Sequence, residues 1–333
     1  MNKTMMPRSG CRLCALALLA AGSLWVGAAQ KSSGAGYMAA YYMDGRIYVN
    51  ELGTPEGKPL LVPPVRGQED FKPSWSKTGD MLVFFRRVKN DPVVTNWKTV
   101  VCVIRVDGTG FRRLTDGAHT DFNPTWTRDG SNTPIWNRKN PKTGGFYVMA
   151  SKADNRPGQE VALSDPRYHT WAHTCLKDGR ILVESAHPTQ GWGYFLMTPK
   201  VGGGGRYERI DCGGLARQGL LCRISLSPSG TKVCFEHQIG HKFREWGHAI
   251  YIADFDVNKR AITNPRVIAN KARSSGWFAY PRWTPDEAAV VYHANTAGKG
   301  ALFLYSLKDG STRRVSTNPA ADYRYPHCEA TPK

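Results

Sequence analysis

Apart from one stretch near its start, the 333-residue sequence has no long hydrophobic run, no segment of sustained helical periodicity and few acidic residues. A helical membrane span needs about 20 apolar residues, so the lack of a second run excludes a multi-span helical membrane protein. Without a helical period the chain must build its core from strands. Only 27 Asp and Glu stand against 45 Lys and Arg, a formal charge of +18. A protein this basic meets anionic partners first, among them acidic polysaccharide, lipopolysaccharide and membrane surface. With no basic helix and no recognisable nucleic-acid module, nucleic acid is not among the expected partners. No GxSxG elbow occurs. The glycines of "VGGGGR" at Val201 lack the following Lys-Ser/Thr of a phosphate loop and fall where a hairpin turn is due.

The exceptional stretch is residues 1–29. Lys3, Arg8 and Arg12 surround the apolar run "LCALALLAAGSLWVGAA", which ends in small residues near Ala29, the pattern of a cleaved secretory leader. The mature chain, 30–333, is therefore expected to be periplasmic or secreted. No lipobox-like arrangement sits at the cleavage point. Cys11 and Cys14 leave with the leader and six cysteines remain. In an oxidising compartment Cys222 and Cys234, which flank the turn "SPSG", are the best cross-strand pair, with buried thiols as the alternative.

What the mature chain has is repetition. "DFKPSWSKTGDMLVFFRR" from Asp70 returns as "DFNPTWTRDGSNTPIWNR" from Asp121, and "FAYPRWTPDEAAVVYH" follows from Phe278. The residue before each turn gives the series Trp75, Trp126, Cys175, Leu226, Trp283 and Ala330, in steps of 51, 49, 51, 57 and 47. A period near fifty means one supersecondary unit per step. Each unit holds a short strand, a Gly- or Asp-bearing turn, two β-rich runs and a weaker fourth, which predicts a six-bladed β-propeller. The tail "YRYPHCEATPK" reads as a first strand and "GYMAAYYMDGRIYVNEL" as the start of a blade lacking one, so the two ends should close one shared blade.

The phrase from Asp70 to Gly117 resembles the repeat of TolB-like six-bladed β-propellers, and the resemblance covers nearly all of the mature chain. It implies an all-β propeller and a periplasmic protein partner, since TolB itself partners a peptidoglycan-associated lipoprotein. TolB carries a separate domain before its propeller, whereas only a few residues here separate the leader from the first strand.

Departures from the phrase mark candidate functional positions. Pro73, Pro124 and Pro281 stand two before the markers, but blade four has His173 there, and blade five has Arg223 just upstream of its marker. The loops after the second strands supply Arg86, Arg87, Arg138, His187, His237, His241 and His293. The approaches to the first strands add Asp70, His119, Asp121, His169, Tyr280, Arg324 and His327. Arginine grips a carboxylate with two donors and stays charged. A rim of Arg86, Arg87, Arg138, His237, His241, His293 and Tyr280 is therefore the expected binding surface for an anionic polysaccharide or oligosaccharide.

Cleaving a uronate chain by β-elimination needs a base, an acid and a cation to neutralise the carboxylate. His169, His187, Tyr207 and Arg223 supply those types, in an order similar to propeller lyases acting on ulvan. The oligogalacturonate lyases pair histidines as "HPHPSFTPD", and the corresponding phrase here, "FAYPRWTPD", has Phe278 and Tyr280 instead, so no cofactor is expected. A divalent metal near His237, His241, His293 and His327 is a minor possibility. Two readings stay open: a monomeric glycan-binding propeller with lyase chemistry, and a non-enzymatic TolB-like scaffold for a protein or peptide.

Overall fold

The computed structural model describes residues 36–60, 67–87, 98–239, 247–271, 278–296 and 298–330; the expected leader at 1–29 lies outside them, as does His241. No helix among the described residues is long and apolar enough to cross a membrane. Blade one joins the two ends: β1 (Tyr37–Met43) and β2 (Arg46–Glu51) form one antiparallel sheet with the last strand, β23 (Tyr323–Ala330), in the order β2-β1-β23.

The other blades each have four strands. Blade two holds β3 (Glu69–Trp75), β4 (Met81–Arg87), β5 (Thr99–Arg105) and β6 (Arg112–Arg113). Blade three follows with β7 (Asp121–Trp126), β8 (Pro134–Lys139), β9 (Phe146–Ala150) and β10 (Val161–Ala162). Blade four has β11 (Thr170–Cys175), β12 (Ile181–His187), β13 (Gly191–Thr198) and β14 (Arg206–Arg209). After a single helical turn, α1 (Leu215–Gln218), blade five has β15 (Gly219–Leu226), β16 (Lys232–Ile239), β17 (Gly247–Asp256) and β18 (Ala261–Lys271). Blade six has β19 (Phe278–Trp283), β20 (Ala289–Thr296), β21 (Lys299–Ser306) and β22 (Thr312–Arg314). The fold is thus the six-bladed propeller that the repeats predict, closed through the shared blade.

Alternation along the strands explains the packing. On β4, Leu82 and Phe84 join Ala40 and Ile47 of blade one, while Val83 joins Trp126 and Trp136 of blade three. The same division recurs around the ring, so the core lies between blades and the second and third strands are apolar on both faces. Each fully buried Leu or Phe contributes roughly 1.5–3 kcal/mol. The first turns need a left-handed residue: Gly79, Gly130, Gly179 and Gly230 supply it at φ 72, 96, 85 and 85°, and in blade six Glu287 takes the role at φ 58°.

The tryptophan markers tie blade to blade. Trp126 Nε1 donates to the carbonyl of Ser74 at 2.9 Å, Trp283 Nε1 to that of Ser225 at 3.2 Å, and Trp75 Nε1 to that of His327 at 2.9 Å. Each indole therefore packs against the neighbouring inner strand and satisfies its own donor. The last bond corrects the sequence alignment of blade one. His327 pairs with Ala40 as Ser74 pairs with Val83, so Cys328, not Ala330, occupies the marker position, and Pro326 matches Pro73.

Candidate functional site at the propeller axis

The innermost strands share an irregularity. Pairing skips between Phe71 and Ser74, Phe122 and Thr125, Cys222 and Ser225, Ala279 and Arg282, and across Tyr325 and Pro326 of β23. The first unpaired residues, Lys72, Asn123, Arg223, Tyr280 and Tyr325, all have positive φ, between 51 and 55°. Four of them precede proline, which disfavours the helical regions for the residue before it. Asparagine tolerates this conformation, but Lys, Arg and Tyr hold it at a cost of order 1–3 kcal/mol each. Bulges re-aim side chains, and five consecutive bends around one axis converge theirs. Blade four departs: its register shifts between Ala172 and Thr174, which leaves His173 alone unpaired.

Blades five, six, one and two contribute a cationic arc. The Arg223 guanidinium lies 4.5 Å from the centre of the Tyr280 ring and Lys72 Nζ lies 4.8 Å from the same centre. Arg223 Nη1 donates to Glu236 Oε2 at 2.7 Å, and Glu236, fully buried on β16, also accepts from Gln238 Nε2 at 2.7 Å and faces His248 Nδ1 at 2.9 Å. Burial raises the Glu236 carboxyl, but Arg223, His248 and Gln238 outweigh it and hold it below its usual range. Arg282 is less well matched. Its Nη1 donates only to the carbonyls of Pro281 at 2.9 Å and Arg223 at 3.5 Å. Burial, and then Arg282 and Arg223, push Lys72 well below the ordinary lysine value. Among the described residues neither Lys72 nor Arg282 has a carboxylate partner. Of the three cations only Arg223 contacts a carboxylate among the described residues.

An aromatic series starts from the same Tyr280 and continues around the ring to blade four. Ring contacts run from Tyr280 to Tyr325 at 4.5 Å, on to Phe71, Phe85, Phe122 and Phe146, and end at Trp171, 4.5 Å from Phe146. His169 extends the series by stacking on the half-exposed Trp192 at 5.0 Å. Blade four adds a second acid. Glu184 Oε1 lies 3.5 Å from His169 Nε2 and its Oε2 lies 3.5 Å from His173 Nε2. Burial raises this carboxyl, yet the two histidines bring it down to about 2.

The structure brings some expected residues together and separates others. Arg223, Tyr280 and His293 meet, with His293 stacked on Tyr280 at 5.5 Å. His187 and Tyr207 also meet, at 5.0 Å between rings, but Tyr207 sits on β14, the outer strand of blade four, with its hydroxyl 3.3 Å from Thr170 Oγ1. Neither His169, His187 nor Tyr207 makes a bond, ion pair or ring contact with Arg223 among the described residues. Among the described residues the four expected lyase residues are thus not joined by direct contacts into one group.

The expected arginine rim is already occupied by intramolecular acids. Arg86 Nε and Nη2 donate to Asp70 Oδ1 and Oδ2 at 2.6 and 2.9 Å, and Arg87 pairs with Glu69. Arg138 bonds both oxygens of Asp121, at 2.8 and 3.1 Å, and Glu160 at 3.0 Å. These pairs repeat because Asp70 faces Arg86 and Asp121 faces Arg138 in register. His237 is buried, its Nε2 3.2 Å from the Leu215 carbonyl, and His327 Nδ1 accepts from the Trp75 amide at 3.3 Å, so His237, His293 and His327 each have separate surroundings. Among the described residues no three His, Cys, Asp or Glu side chains converge as metal ligands. The six described cysteines are free thiols; Cys234 pairs in register with Ser225 and Cys222 with Glu236, so the two cysteines are not opposite each other.

Sequence reasoning missed Lys72, Arg282, Glu184 and Glu236. The bulge position was visible as the residue before the repeated proline in "FKPSW", "FNPTW", "AYPRW" and "RYPHC". Nothing in the pattern marks Glu184 and Glu236, which lie on second strands three residues after the partners of the markers.

Comparison with solved structures shows the fold. TolB from Acinetobacter baumannii superposes with a TM-score of 0.61 at 14% identity, covering 88% of this chain and 66% of that one. A putative TolB from Agrobacterium tumefaciens gives 0.51 at 15%, covering 85% and 89%. Hydrazine synthase from Kuenenia stuttgartiensis gives 0.61 at 14%, covering 89% and 47%. The chain spans just under two-thirds of the first and about half of the third. No family model matches the sequence, and no curated protein does. The chain shares its fold with TolB-like β-propellers, and identities this low carry nothing finer.

Proposed function

We propose that this protein is an exported, non-enzymatic propeller scaffold that receives an acidic, aromatic-bearing segment of a protein partner at the mouth of its axis. The observation that carries this reading is the juxtaposition of Lys72, Arg223 and Arg282 around Tyr280, with Glu236 the one carboxylate in contact with them among the described residues, beside the aromatic arc that ends at Trp171. Uncompensated buried cations destabilise a fold, and a partner's carboxylate entering the arc would supply the missing charge. Aromatic rings and arginine are the side chains that dominate protein-binding hot spots. The TolB-like fold and the apolar leader at 1–29 agree with a periplasmic setting.

The test is fluorescence anisotropy with a labelled peptide of alternating Glu and Phe against a Lys/Phe control. The acidic peptide should bind, more weakly as salt rises, and Lys72→Met and Arg223→Gln should each weaken it. Equal binding of both peptides, or binding indifferent to both variants, overturns the reading.

A uronate glycan is the other occupant the same charges would attract. Its cleavage would require a proton donor and acceptor beside Arg223, and the described contacts provide none from His187 or Tyr207. Appearance of ultraviolet-absorbing unsaturated product from a uronate polysaccharide, lost in Arg223→Gln, would restore the lyase reading.

A further inference from the structure

On the turn-ward side of the bulges the axis widens into a cavity of about 240 Å³. It is walled by the hydroxyl-bearing Ser74, Thr125 and Ser225, by Arg128 and Arg282, and by His173 and His327. Among the described residues no Asp or Glu lines it. Its volume is below the roughly 300–1,000 Å³ of pockets for drug-sized ligands, so it suits an ion or the end group of a larger molecule.

Its polar groups have donors to spare. His173, with a side chain only 2% exposed, has no hydrogen-bond partner at Nδ1 among the described residues. The bonds of Arg282 leave from Nη1 alone, which leaves Nε and Nη2 without an acceptor among the described residues. Ser74 Oγ and Thr125 Oγ1, on adjacent blades, share a hydrogen bond at 3.3 Å, which uses one of their two protons and leaves the other available. Lys72 lies close enough to influence both Arg282 and His327. With the half-buried Arg128 and Arg282 beside it, hydroxyls and the unpartnered His173 nitrogen at its surface, and no acid in its wall among the described residues, the cavity is built for the opposite charge.

We propose that this cavity is a binding site for a phosphate-class oxyanion, held by the Arg282 guanidinium and the Ser74, Thr125 and Ser225 hydroxyls, with His173 Nδ1 donating in its protonated or Nδ1–H form. A dianion offsets two of the uncompensated charges, and its several oxygens match donors that arrive from several blades. The cavity shares Arg282 with the mouth proposed for the protein partner, but Ser74, Thr125 and Ser225 belong to the cavity alone, so variants at those hydroxyls distinguish failure of this site from failure of the mouth.

The experiment is isothermal titration of the purified mature protein with inorganic phosphate and, separately, with glycerol phosphate, at constant ionic strength maintained with chloride. Thermal melts in the same buffers accompany it. Phosphate should bind and raise the melting temperature above that in chloride. Arg282→Gln should weaken binding roughly 10- to 100-fold, the range a charge-assisted hydrogen bond controls, whereas Lys308→Gln on the outer hairpin should not change it. Should Arg282→Gln fail to fold, Thr125→Val and Ser225→Ala serve in its place and should each weaken binding. Tighter binding of inorganic phosphate identifies the free ion, and tighter binding of glycerol phosphate a phosphoryl group on a larger molecule; both support the site. Identical behaviour in phosphate and chloride, or unchanged affinity in the folded cavity variants, overturns it.

Discussion

Blades two and three bury Arg86 and Arg138, blades five and six leave Arg223 and Arg282 half-buried, and the two regions balance the charge differently. Arg86 has Asp70 in two-point contact, and Arg138 has Asp121 and Glu160, so each of these two arginines is matched where it lies. At Tyr280, Arg223 of blade five has Glu236, but among the described residues neither Arg282 of blade six nor Lys72, which reaches in from blade two, has a carboxylate partner. A matched pair holds two strands in register and presents little to a ligand. An unmatched cation weakens the fold unless something else supplies the charge, so the second region is where a ligand gains most.

Breaking a match is the largest expected effect. Asp121→Ala removes both contacts to Arg138 and the acceptor at 3.0 Å from Trp136 Nε1, in a site with no exposure. Chemical denaturation should show a loss of about 3–5 kcal/mol, the range for stranding one partner of a buried pair. A loss below about 1 kcal/mol would mean that Glu160 balances Arg138 unaided.

The propeller was legible because its signal is repetitive and apolar: a fifty-residue period, turn glycines and markers such as Trp75 and Trp126 recur whatever the ligand. The matched arginines were legible as residues but not in role. Arg86 and Asp70 are 16 positions apart, and only the register of β3 against β4 turns them from rim candidates into a pair. Lys72 and Tyr325 stood in plain view before Pro73 and Pro326, yet their convergence depends on bulges and on closure of the ring, which are tertiary facts. Tyr207 was legible as a residue type, but its place on an outer strand with its hydroxyl 3.3 Å from Thr170 Oγ1 is a tertiary fact.

Glu184 extends the comparison to histidine. With its folded value brought to about 2 by His169 and His173 against the opposing effect of burial, it contributes stability that is complete above the ordinary carboxylate range. That contribution is lost as pH falls from the unfolded value, roughly 4.3, through the folded value. Glu184→Gln should remove roughly 1–3 kcal/mol at neutral pH, as loss of charged hydrogen bonds does, and should flatten the acid limb of the stability profile. An unchanged acid limb would transfer that dependence to other carboxylates.

Lys72 tests the unmatched side and carries the opposite sign. Its folded value is below the unfolded one, roughly 10.4. Between the two the unfolded chain binds more protons, so stability rises with pH across that interval. Lys72→Met removes the charge, keeps the stem and should abolish that alkaline rise. It should also stabilise the protein near neutrality by roughly 0.5–2 kcal/mol, typical when a substitution relieves a cost kept for function, while weakening the acidic peptide. Destabilisation by this variant would mean that the lysine is already matched.

The smallest effect is expected where charge is neither matched nor buried. Lys308 and Arg313 are exposed on the outer hairpin of blade six, where water and salt screen them. Reversing both with Lys308→Glu and Arg313→Glu lowers the formal charge by four, yet stability should change by less than about 0.5 kcal/mol. If affinity for the acidic peptide is set locally by Lys72, Arg223 and Arg282, the double reversal should slow association at low salt, and its effect should largely disappear near 0.15 M, where the screening length is about 8 Å. A loss as large as that in Lys72→Met, persisting at that salt, would make bulk charge rather than the axial arc the source of binding.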